Sequence, residues 1–276
     1  MLSASSLTGA VDFPDFKRKL NTVPVPRLGG VGFFIAFFIS LSLKILFLGS
    51  PGVADTALLL SGGLCLLLGA ADDFLSLLPL TKLIFQSVIA LIASAILSPS
   101  EPPLYVMIKA FYILLLINAL NFIDGLDGLC VGISASSLFF FALSDLLFLN
   151  TGMGISAMLL FFALVGFIPF NAYPARLYMG DAGSETLGLS LAVFSISSAK
   201  EGLFLTPSFI LIPIADVLLA IARRICLGHS PFKADRSHLH HMLLDFGFSH
   251  PAAVNILFSA SLFLSLISLS VYLFFS

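Results

Sequence analysis

Long apolar runs separated by short polar segments dominate the chain, and they predict membrane-spanning helices. Nine runs can be marked, at approximately 28–48, 53–71, 80–97, 104–120, 129–149, 153–170, 184–199, 203–222 and 252–275. The runs are continuous, unlike the alternating strands of a membrane barrel, and most approach the roughly 20 residues that a helix needs to cross a bilayer. The sequence therefore predicts an all-α polytopic transmembrane helical bundle with about nine membrane helices, in a single domain comprising residues 1–276.

The composition supports a membrane protein. Hydrophobic residues make up 59% of the chain, charged residues 10%, and the mean hydropathy is +1.09, whereas soluble domains are about 45–50% apolar. The net charge of −2 gives no indication of a nucleic-acid partner, so the expected environment is the lipid bilayer. Cys65, Cys130 and Cys226 lie in or beside apolar runs without CxxC spacing, which is typical of small core residues rather than of redox or zinc sites.

The positions of lysine and arginine predict the orientation in the membrane. With a cytoplasmic N-terminal segment, 1–27, ten basic residues fall inside: Lys17, Arg18, Lys19, Arg27, Lys82, Arg176, Arg223, Arg224, Lys233 and Arg236. Only Lys44, Lys109 and Lys200 fall outside, as the excess of cytoplasmic positive charge requires. We expect a multi-pass protein of the inner (plasma) membrane with its C-terminus outside. The polar motifs, including a histidine-containing loop at 223–251, then form an active-site cleft on the cytoplasmic face.

The stretch "NALNFIDGLDGL" (118–129) carries four polar groups at the end of an apolar run. Asn118 and Asn121 share a helix face, while Asp124 and Asp127 are each followed by glycine, so we expect the helix to end near Asn121 and a turn to follow. Polar groups at membrane depth need partners, which a metal or a ligand can supply. A polar helix end with two Asp-Gly turns is the alternative.

Two further motifs place acidic and basic groups at predicted helix ends. Asp72 and Asp73 end the second run, and Lys82 begins the third. Neighbouring helical residues point about 100° apart, so one carboxylate can face a site while the other braces it. A solvated helix end for the pair, and a lysine that reaches a lipid phosphate, are the alternatives.

The stretch "YMGDAGSETLG" (178–188) places Asp181 between two glycines directly before a predicted helix. Free amides at such a helix start suit a phosphate or a metal-bound carboxylate, although Asp181 or Ser184 could equally cap the helix. Asp216 lies inside an apolar run, which indicates either a functional group or a pair with Arg223 or Arg224.

All five histidines follow residue 228. His238, His240 and His241 cannot share one helix face and do not form an HExxH motif. With Arg236 they are expected to meet an anion such as phosphate, zinc binding being the alternative. Carboxylates without thiols favour a hard cation, Mg²⁺ or Mn²⁺, and hence phosphoryl chemistry on a membrane substrate.

Six stretches together resemble the polyprenyl-phosphate N-acetylhexosamine-1-phosphate transferases, and they occur in that family's order. They are "VPRLGGVG" (24–32), "DDFLSLLPLTKLIFQ" (72–86), "NALNFIDGLDGL" (118–129), "YMGDAGSETLG" (178–188), "PIADVLLAIARR" (213–224) and "SPFKADRSHLHH" (230–241). The form "DRSHLHH" is similar to the branch that uses UDP-GlcNAc rather than to the muramoyl-pentapeptide branch. Relatives usually carry a further membrane helix ahead of "VPRLGG".

The resemblance implies transfer of a sugar-1-phosphate from a UDP-sugar, UDP-GlcNAc above all, to undecaprenyl phosphate, with release of UMP. It implies Mg²⁺ as cofactor, with Mn²⁺ as a substitute. The expected partners are a UDP-sugar, polyprenyl (undecaprenyl) phosphate and the bilayer, and a homodimer is one candidate assembly. The product would start the synthesis of a cell-envelope polysaccharide.

The resemblance also implies roles for individual residues. The catalytic carboxylates would be Asp72, Asp73 and Asp181, of which Asp181 and Asp72 would bind the metal. The nucleotide would be bound by Asn121, Gly125, Leu126, Asp127 and Tyr178. The sugar and pyrophosphate would meet Asn118, Asp124, Arg236, His238, His240 and His241. The lipid phosphate would be bound by Lys82.

Two alternatives concern activity and mechanism. Intramembrane carboxylates are also typical of transporters, although no inverted repeat is visible. Within the transferase interpretation, the lipid phosphate can attack directly, with Asp72 orienting it or binding metal, or Asp72 can form a covalent intermediate. Direct attack is favoured because a phosphate monoester, with a second pKa near about 6, is largely dianionic at neutral pH.

Overall fold

The computed structural model describes residues 10–12, 24–49, 51–149, 151–200, 206–228 and 238–275. Ten α-helices follow one another there: α1 Gly29–Leu48, α2 Val53–Leu75, α3 Pro79–Leu97, α4 Pro103–Ile123, α5 Leu129–Ser144, α6 Met153–Asn171, α7 Gly180–Lys200, α8 Leu211–Cys226, α9 Leu239–Asp245 and α10 His250–Phe275. A π-helical turn, Asp145–Leu149, extends α5, and a 3₁₀ turn, Thr206–Ile210, precedes α8. Two short antiparallel strands, β1 Val11–Asp12 and β2 Val25–Pro26, precede α1. The prediction of a helical membrane bundle is confirmed.

Seven helices within the described residues are long and apolar enough to cross a membrane, namely α1 to α6 and α10. Their outer faces carry large exposed apolar side chains, such as Leu46 and Phe47 of α1 and Phe111 of α4. Such surface suits lipid, because a soluble protein rarely exposes apolar patches of this extent. The remaining two predicted spans correspond to α7 and to the segment Thr206–Cys226, so the count of nine stays a prediction.

Helix α7 lies at the centre of the bundle. It packs against α2 and α4 most extensively and against α1, α5 and α3 as well. Its side chains are buried almost all the way round, so they meet protein rather than lipid. Polar residues are tolerated there because their hydroxyls bond within the helix: Thr186 donates to Ala182 O (2.8 Å) and Ser190 to Thr186 O (2.7 Å). A hydropathy criterion alone therefore misses α7 as a membrane-embedded helix, because its polar residues lower the mean hydropathy of a helix that protein encloses.

A glycine allows α2 and α7 to approach closely. A Cβ built on Gly69 of α2 would lie 2.5 Å from Cα of Ala182, which is backbone of α7 and cannot swing aside. Gly63, six residues earlier on the same helix, has open space around the equivalent position. The contact at Gly69 fixes the end of α2, where Asp72 and Asp73 lie, against the start of α7.

We expect Gly69→Ala to lower the melting temperature of the purified protein, because overpacking typically costs about 1–3 kcal/mol. Gly63→Ala is the matched control, and it should be neutral or stabilising by up to about 1 kcal/mol, since alanine is the better helix former. Thermal unfolding of both variants in the same detergent measures the difference. Equal melting temperatures would show that the α2–α7 contact is not tight.

The segment before α1 is fastened to the start of α7. Gly29 N donates to Tyr178 O (2.9 Å), Gly30 N donates to Met179 O (2.9 Å), and Tyr178 N donates to Pro26 O (2.8 Å). The Arg27 guanidinium also pairs with Asp12 of β1. These bonds explain the "VPRLGG" motif structurally, because it forms one wall of the bundle end at which the polar motifs meet.

Candidate active site

Three carboxylates from two helices surround the ammonium group of Lys82. Its Nζ lies 2.8 Å from Asp72 Oδ2 and 2.5 Å from Glu185 Oε1, and it also contacts Asp181 Oδ2. Lys82 lies in the first turn of α3, and Asp72 lies in the last turn of α2. The other two carboxylates belong to the first two turns of α7. The structure therefore brings together Asp72 and Lys82 of the motif 72–86 and Asp181 of the motif 178–188.

Glu185 is a site residue that the sequence analysis missed. Its side chain is fully buried, and its carboxylate forms an ion pair with Lys82. The available signal was its spacing, since residues four apart on a helix share a face, and Glu185 follows Asp181 by four.

The two asparagines of α4 face the first two turns of α3. Asn118 Nδ2 donates to Gln86 Oε1 (3.1 Å). One turn further on, the amide of Asn121 is satisfied when its Oδ1 accepts from Lys82 Nζ (3.0 Å) and its Nδ2 approaches Asp181 Oδ1 (3.3 Å). The predicted shared face of the asparagines is present, and α4 ends at Ile123, two residues after Asn121, where the predicted turn follows. Asn118 lies one turn before Asn121 on α4, and its side chain donates to Gln86.

Asp73 caps α7 from the neighbouring helix. Its Oδ1 accepts from the backbone N of Asp181 and its Oδ2 from the backbone N of Ala182, both at 3.0 Å. A carboxylate at this position satisfies two otherwise unpaired donors and complements the positive end of the helix dipole. The expectation of free amides at this helix start was wrong: Asp73 occupies them, so the Asp181 side chain does not cap its own helix.

The turn between α4 and α5, residues 124–128, is held against the loop between α6 and α7, residues 172–179. Gly128 N donates to Asn171 Oδ1 (3.1 Å), and Asn171 Nδ2 donates to Leu177 O (3.1 Å). Asp127 Oδ2 accepts from Ala175 N (2.9 Å). Asn171, at the end of α6, is thus a clamp that the sequence analysis did not identify.

Leu126 and Asp124, which are predicted to bind the nucleotide and the sugar-pyrophosphate respectively, both lie in this turn. The Leu126 side chain is buried in the apolar core, which leaves only its backbone to contact a ligand. Burial raises the pKa of the Asp124 carboxyl well above its ordinary value, and the neighbouring carboxylates of Asp181, Asp73 and Asp127 raise it further. Asp124 therefore lies close enough to Asp181 and Asp73 to be affected by their charges.

Tyr178 lies beside the same turn. Its side chain is half-buried, and burial, followed by the charges of Asp127 and Asp12, raises the pKa of its phenol to about 12. The ring is therefore neutral at physiological pH, and its backbone is held by Pro26 and Gly29. An aromatic face fixed in this way can stack on a base.

Asp216 holds the start of α9. Its Oδ2 lies 2.8 Å from His238 Nδ1, and its Oδ1 accepts from Leu239 N (2.6 Å). The sequence analysis had considered only Arg223 and Arg224 as partners. The carboxylate fixes the imidazole orientation by engaging Nδ1, as is common for functional histidines, and His238 also packs on Phe122 at the end of α4 (5.1 Å between ring centroids).

His240 packs directly on the turn at 124–128. A Cβ at Gly125 would lie 2.8 Å from His240 Cε1, so a larger residue there would displace the ring from this position. Burial, and then the neighbouring His241 and His238, lower the pKa of His240 to about 3. A neutral imidazole offers no positive charge to a pyrophosphate, so of the predicted roles for His240 the geometry favours packing against the turn. His241 lies beside it, 4.2 Å between ring centroids, and Arg236 lies outside the described residues.

The carboxylate cluster fits a divalent cation. Asp72, Asp181 and Glu185 each offer one oxygen, and these three atoms lie within 4.8 Å of one another. Oxygen-only ligands of this kind suit Mg²⁺ or Mn²⁺ rather than zinc. The buried Glu185 carboxylate supports a cation requirement, because a buried charge must be balanced.

Comparison with known proteins identifies the family. Residues 56–199, which run from the first turn of α2 to the last turn of α7 and include the whole carboxylate cluster, match the sequence model described as Glycosyl transferase family 4. The chain belongs to this family. The resemblance inferred from the six motifs is confirmed.

Relatives in this family carry informative names. A "Decaprenyl-phosphate N-acetylglucosaminephosphotransferase" of Mycobacterium tuberculosis (strain CDC 1551 / Oshkosh) is 32% identical over 92% of this chain and 74% of its own length. A "Probable undecaprenyl-phosphate N-acetylglucosaminyl 1-phosphate transferase" of Bacillus subtilis (strain 168) is 32% identical over 91% and 74%. A "Phospho-N-acetylmuramoyl-pentapeptide-transferase" of Staphylococcus aureus (strain JH9) is 34% identical over 60% and 51%. The similarity to the first two covers more of both chains.

Proposed function

We propose that the protein transfers GlcNAc-1-phosphate from UDP-GlcNAc to a polyprenyl phosphate, undecaprenyl phosphate in particular, and releases UMP. The names of the two relatives that match over most of their length support the sugar and the class of acceptor. The product would begin a cell-envelope polysaccharide. The observation that carries the proposal is the cluster of Asp72, Asp181 and Glu185 around Lys82 at the end of a membrane bundle.

The cluster suits a reaction between two anions. The acceptor phosphate and the pyrophosphate of the donor repel each other, so the protein must supply positive charge and fix both groups. Asp72, Asp181 and Glu185 would hold Mg²⁺ or Mn²⁺. The bound metal would neutralise negative charge on the pyrophosphate and on the departing UMP.

The remaining residues position the two substrates. Lys82 lies at the start of α3 and would bind the acceptor phosphate. The turn at 124–128, with Asn121 and Tyr178, would hold the nucleotide, and Asp73 would act as a positioning residue that fixes Asp181 through the start of α7. His238, oriented by Asp216, and His241 would face the sugar-pyrophosphate.

The acceptor phosphate is proposed to attack the β-phosphorus of UDP-GlcNAc directly. One acceptor oxygen forms the new bond, and the bond from that phosphorus to the bridging oxygen of UMP breaks. At neutral pH the acceptor phosphate is already largely dianionic, since its second pKa is near about 6, so a protein base is not required. The role of Asp72 is then to hold charge and geometry, not to form an acyl phosphate.

The cytoplasm is the proposed location of the site. The end of the bundle that carries Lys82, Arg176, Arg223 and Arg224 is the more basic one, which the positive-inside rule places in the cytoplasm. UDP-sugars are made there. With nine spans the C-terminus would lie outside.

Purified protein incubated with a panel of UDP-sugars, undecaprenyl phosphate and Mg²⁺ tests the proposal. We expect UMP release that requires the acceptor and is fastest with UDP-GlcNAc. Absence of UMP with every UDP-sugar would contradict the assignment and favour a transport function for the buried carboxylates.

Tyr178→Ala should raise KM for the UDP-sugar about tenfold or more, because stacking on a base is worth roughly 1–3 kcal/mol. Tyr178→Phe is the matched control: it retains the ring and should keep a KM close to that of the wild type. Steady-state kinetics with each substrate varied in turn measure the effect. A change in KM for the lipid acceptor alone would place Tyr178 at the other substrate.

A further inference from the structure

The ammonium group of Lys82 is fully engaged by the chain itself. It has three hydrogens to donate, and it is surrounded by one oxygen from each of Asp72, Asp181 and Glu185 and by the amide oxygen of Asn121. An acceptor phosphate can bind Nζ only after some of these contacts with Nζ have broken.

The same three carboxylates form the candidate metal site. A magnesium ion needs its ligand oxygens at about 2.0–2.1 Å, whereas Nζ already lies 2.5–2.8 Å from oxygens of Glu185 and Asp72. Nζ therefore occupies the space between the ligands. The ammonium and a divalent cation of like charge cannot both be held there.

Glu185 needs one of these two cations, the Lys82 ammonium or the metal ion, close to its carboxylate. It is fully buried and has Lys82 as its ion-pair partner. A buried carboxylate that loses its counter-ion is strongly unfavourable. Binding of another cation in its place would compensate Glu185 and allow Lys82 to leave.

We propose that Glu185 is the third carboxylate of the metal site and that Lys82 is the cation that holds this site in the absence of metal. When a divalent cation binds, Lys82 Nζ is released from the carboxylates and becomes available to an acceptor phosphate. Only this last step rests on the proposed function. Because such coupling is reciprocal, occupancy of Lys82 by the acceptor also strengthens binding of the metal.

Direct Mn²⁺ binding to the purified protein, followed by electron paramagnetic resonance without nucleotide or lipid, tests the exchange. Lys82→Met should bind Mn²⁺ about tenfold more tightly than the wild type, since the competing cation is gone, and Glu185→Gln about tenfold less tightly, within the range known for groups that support metal sites. Lys44→Met is the control: Lys44 pairs with Asp55 (2.8 Å) away from the cluster and should leave the affinity unchanged. Equal or weaker Mn²⁺ binding by Lys82→Met would overturn the proposal.

A second measurement uses the wild-type protein and does not depend on whether Lys82→Met folds. Acetylation of amines, followed by mass spectrometry, should label Lys82 several times faster with saturating Mg²⁺ than without it. Lys109, which pairs with Glu101 (2.6 Å), should be labelled at the same rate in both conditions. Unchanged or slower labelling of Lys82 would contradict its release.

These two measurements separate this inference from the transferase assignment. Neither contains a UDP-sugar or a polyprenyl phosphate. Metal-dependent release of Lys82 in a protein that makes no UMP would uphold the exchange and contradict the proposed function. An active transferase in which Lys82 does not respond to metal would do the reverse.

Discussion

Asp181→Ala should lower kcat/KM for UMP release by about 1,000-fold or more and leave the melting temperature close to that of the wild type. The variant loses one of the three carboxylates that would hold the metal, and electrostatic stabilisation by a bound metal is worth several kcal/mol, with each 1.36 kcal/mol corresponding to tenfold in rate. The backbone amide of residue 181 keeps its bond to Asp73, so the start of α7 should remain in place.

Asp181→Asn is the matched variant for charge. It keeps the volume of the side chain and removes its negative charge, so it should be nearly as inactive as Asp181→Ala. Substantial activity in both variants at ordinary Mg²⁺ concentrations would show that Asp181 is not a metal ligand. Activity in Asp181→Asn alone would assign it a hydrogen-bonding role.

Asp73→Ala should reduce kcat about 100-fold and also lower the melting temperature. The substitution leaves the backbone amides of Asp181 and Ala182 without their acceptor, and an unsatisfied buried donor costs roughly 1–3 kcal/mol. The first turn of α7, which carries Asp181, then loses its fixed position. The Mg²⁺ concentration for half-maximal activity should rise in parallel, which loss of stability alone would not cause. Kinetics over a Mg²⁺ series measure both effects.

Asp145→Ala is the control that distinguishes loss of the position of Asp181 from a general loss of stability. Asp145 also accepts backbone amides across a chain reversal, from Thr151 (3.2 Å) and Gly154 (2.9 Å), but in the π-helical turn that follows α5. It should lower the melting temperature to a similar degree and leave kcat and the Mg²⁺ requirement unchanged. If Asp73→Ala behaved in the same way, Asp73 would be a structural cap without influence on the metal site.

The fold could be predicted from the sequence wherever helices face lipid. Helices α1 to α6 and α10 are apolar because the bilayer surrounds them, and their runs were visible in the hydropathy pattern. Helix α7 is different, because protein surrounds it. Its polar residues include Thr186 and Ser190, whose hydroxyls donate hydrogen bonds to backbone carbonyls of the same helix. A hydropathy criterion designed for helices that face lipid therefore detects a helix at the core of the bundle less well.

The sequence predicts those site residues whose chemistry is evident from a single motif. Asp72, Lys82 and Asp181 were each visible at a helix end, and the structure brings them together. The partners that complete them could not be predicted in the same way, because they depend on long-range packing: Asp73 reaches the start of α7, and Asp216 reaches His238. Glu185 lies within the motif 178–188. It becomes a candidate site residue because its carboxylate is buried, and burial cannot be read from the sequence.

The fate of the donor's β-phosphorus tests the central claim most directly. UDP-GlcNAc labelled with ³²P at the β-position is incubated with the purified protein, undecaprenyl phosphate and Mg²⁺, and lipid and aqueous products are separated. Transfer of a sugar-1-phosphate predicts that the label enters the lipid fraction in step with the release of unlabelled UMP, and that Asp181→Ala shows neither. Label that stays in the aqueous phase as UDP, with GlcNAc alone on the lipid, would contradict the account.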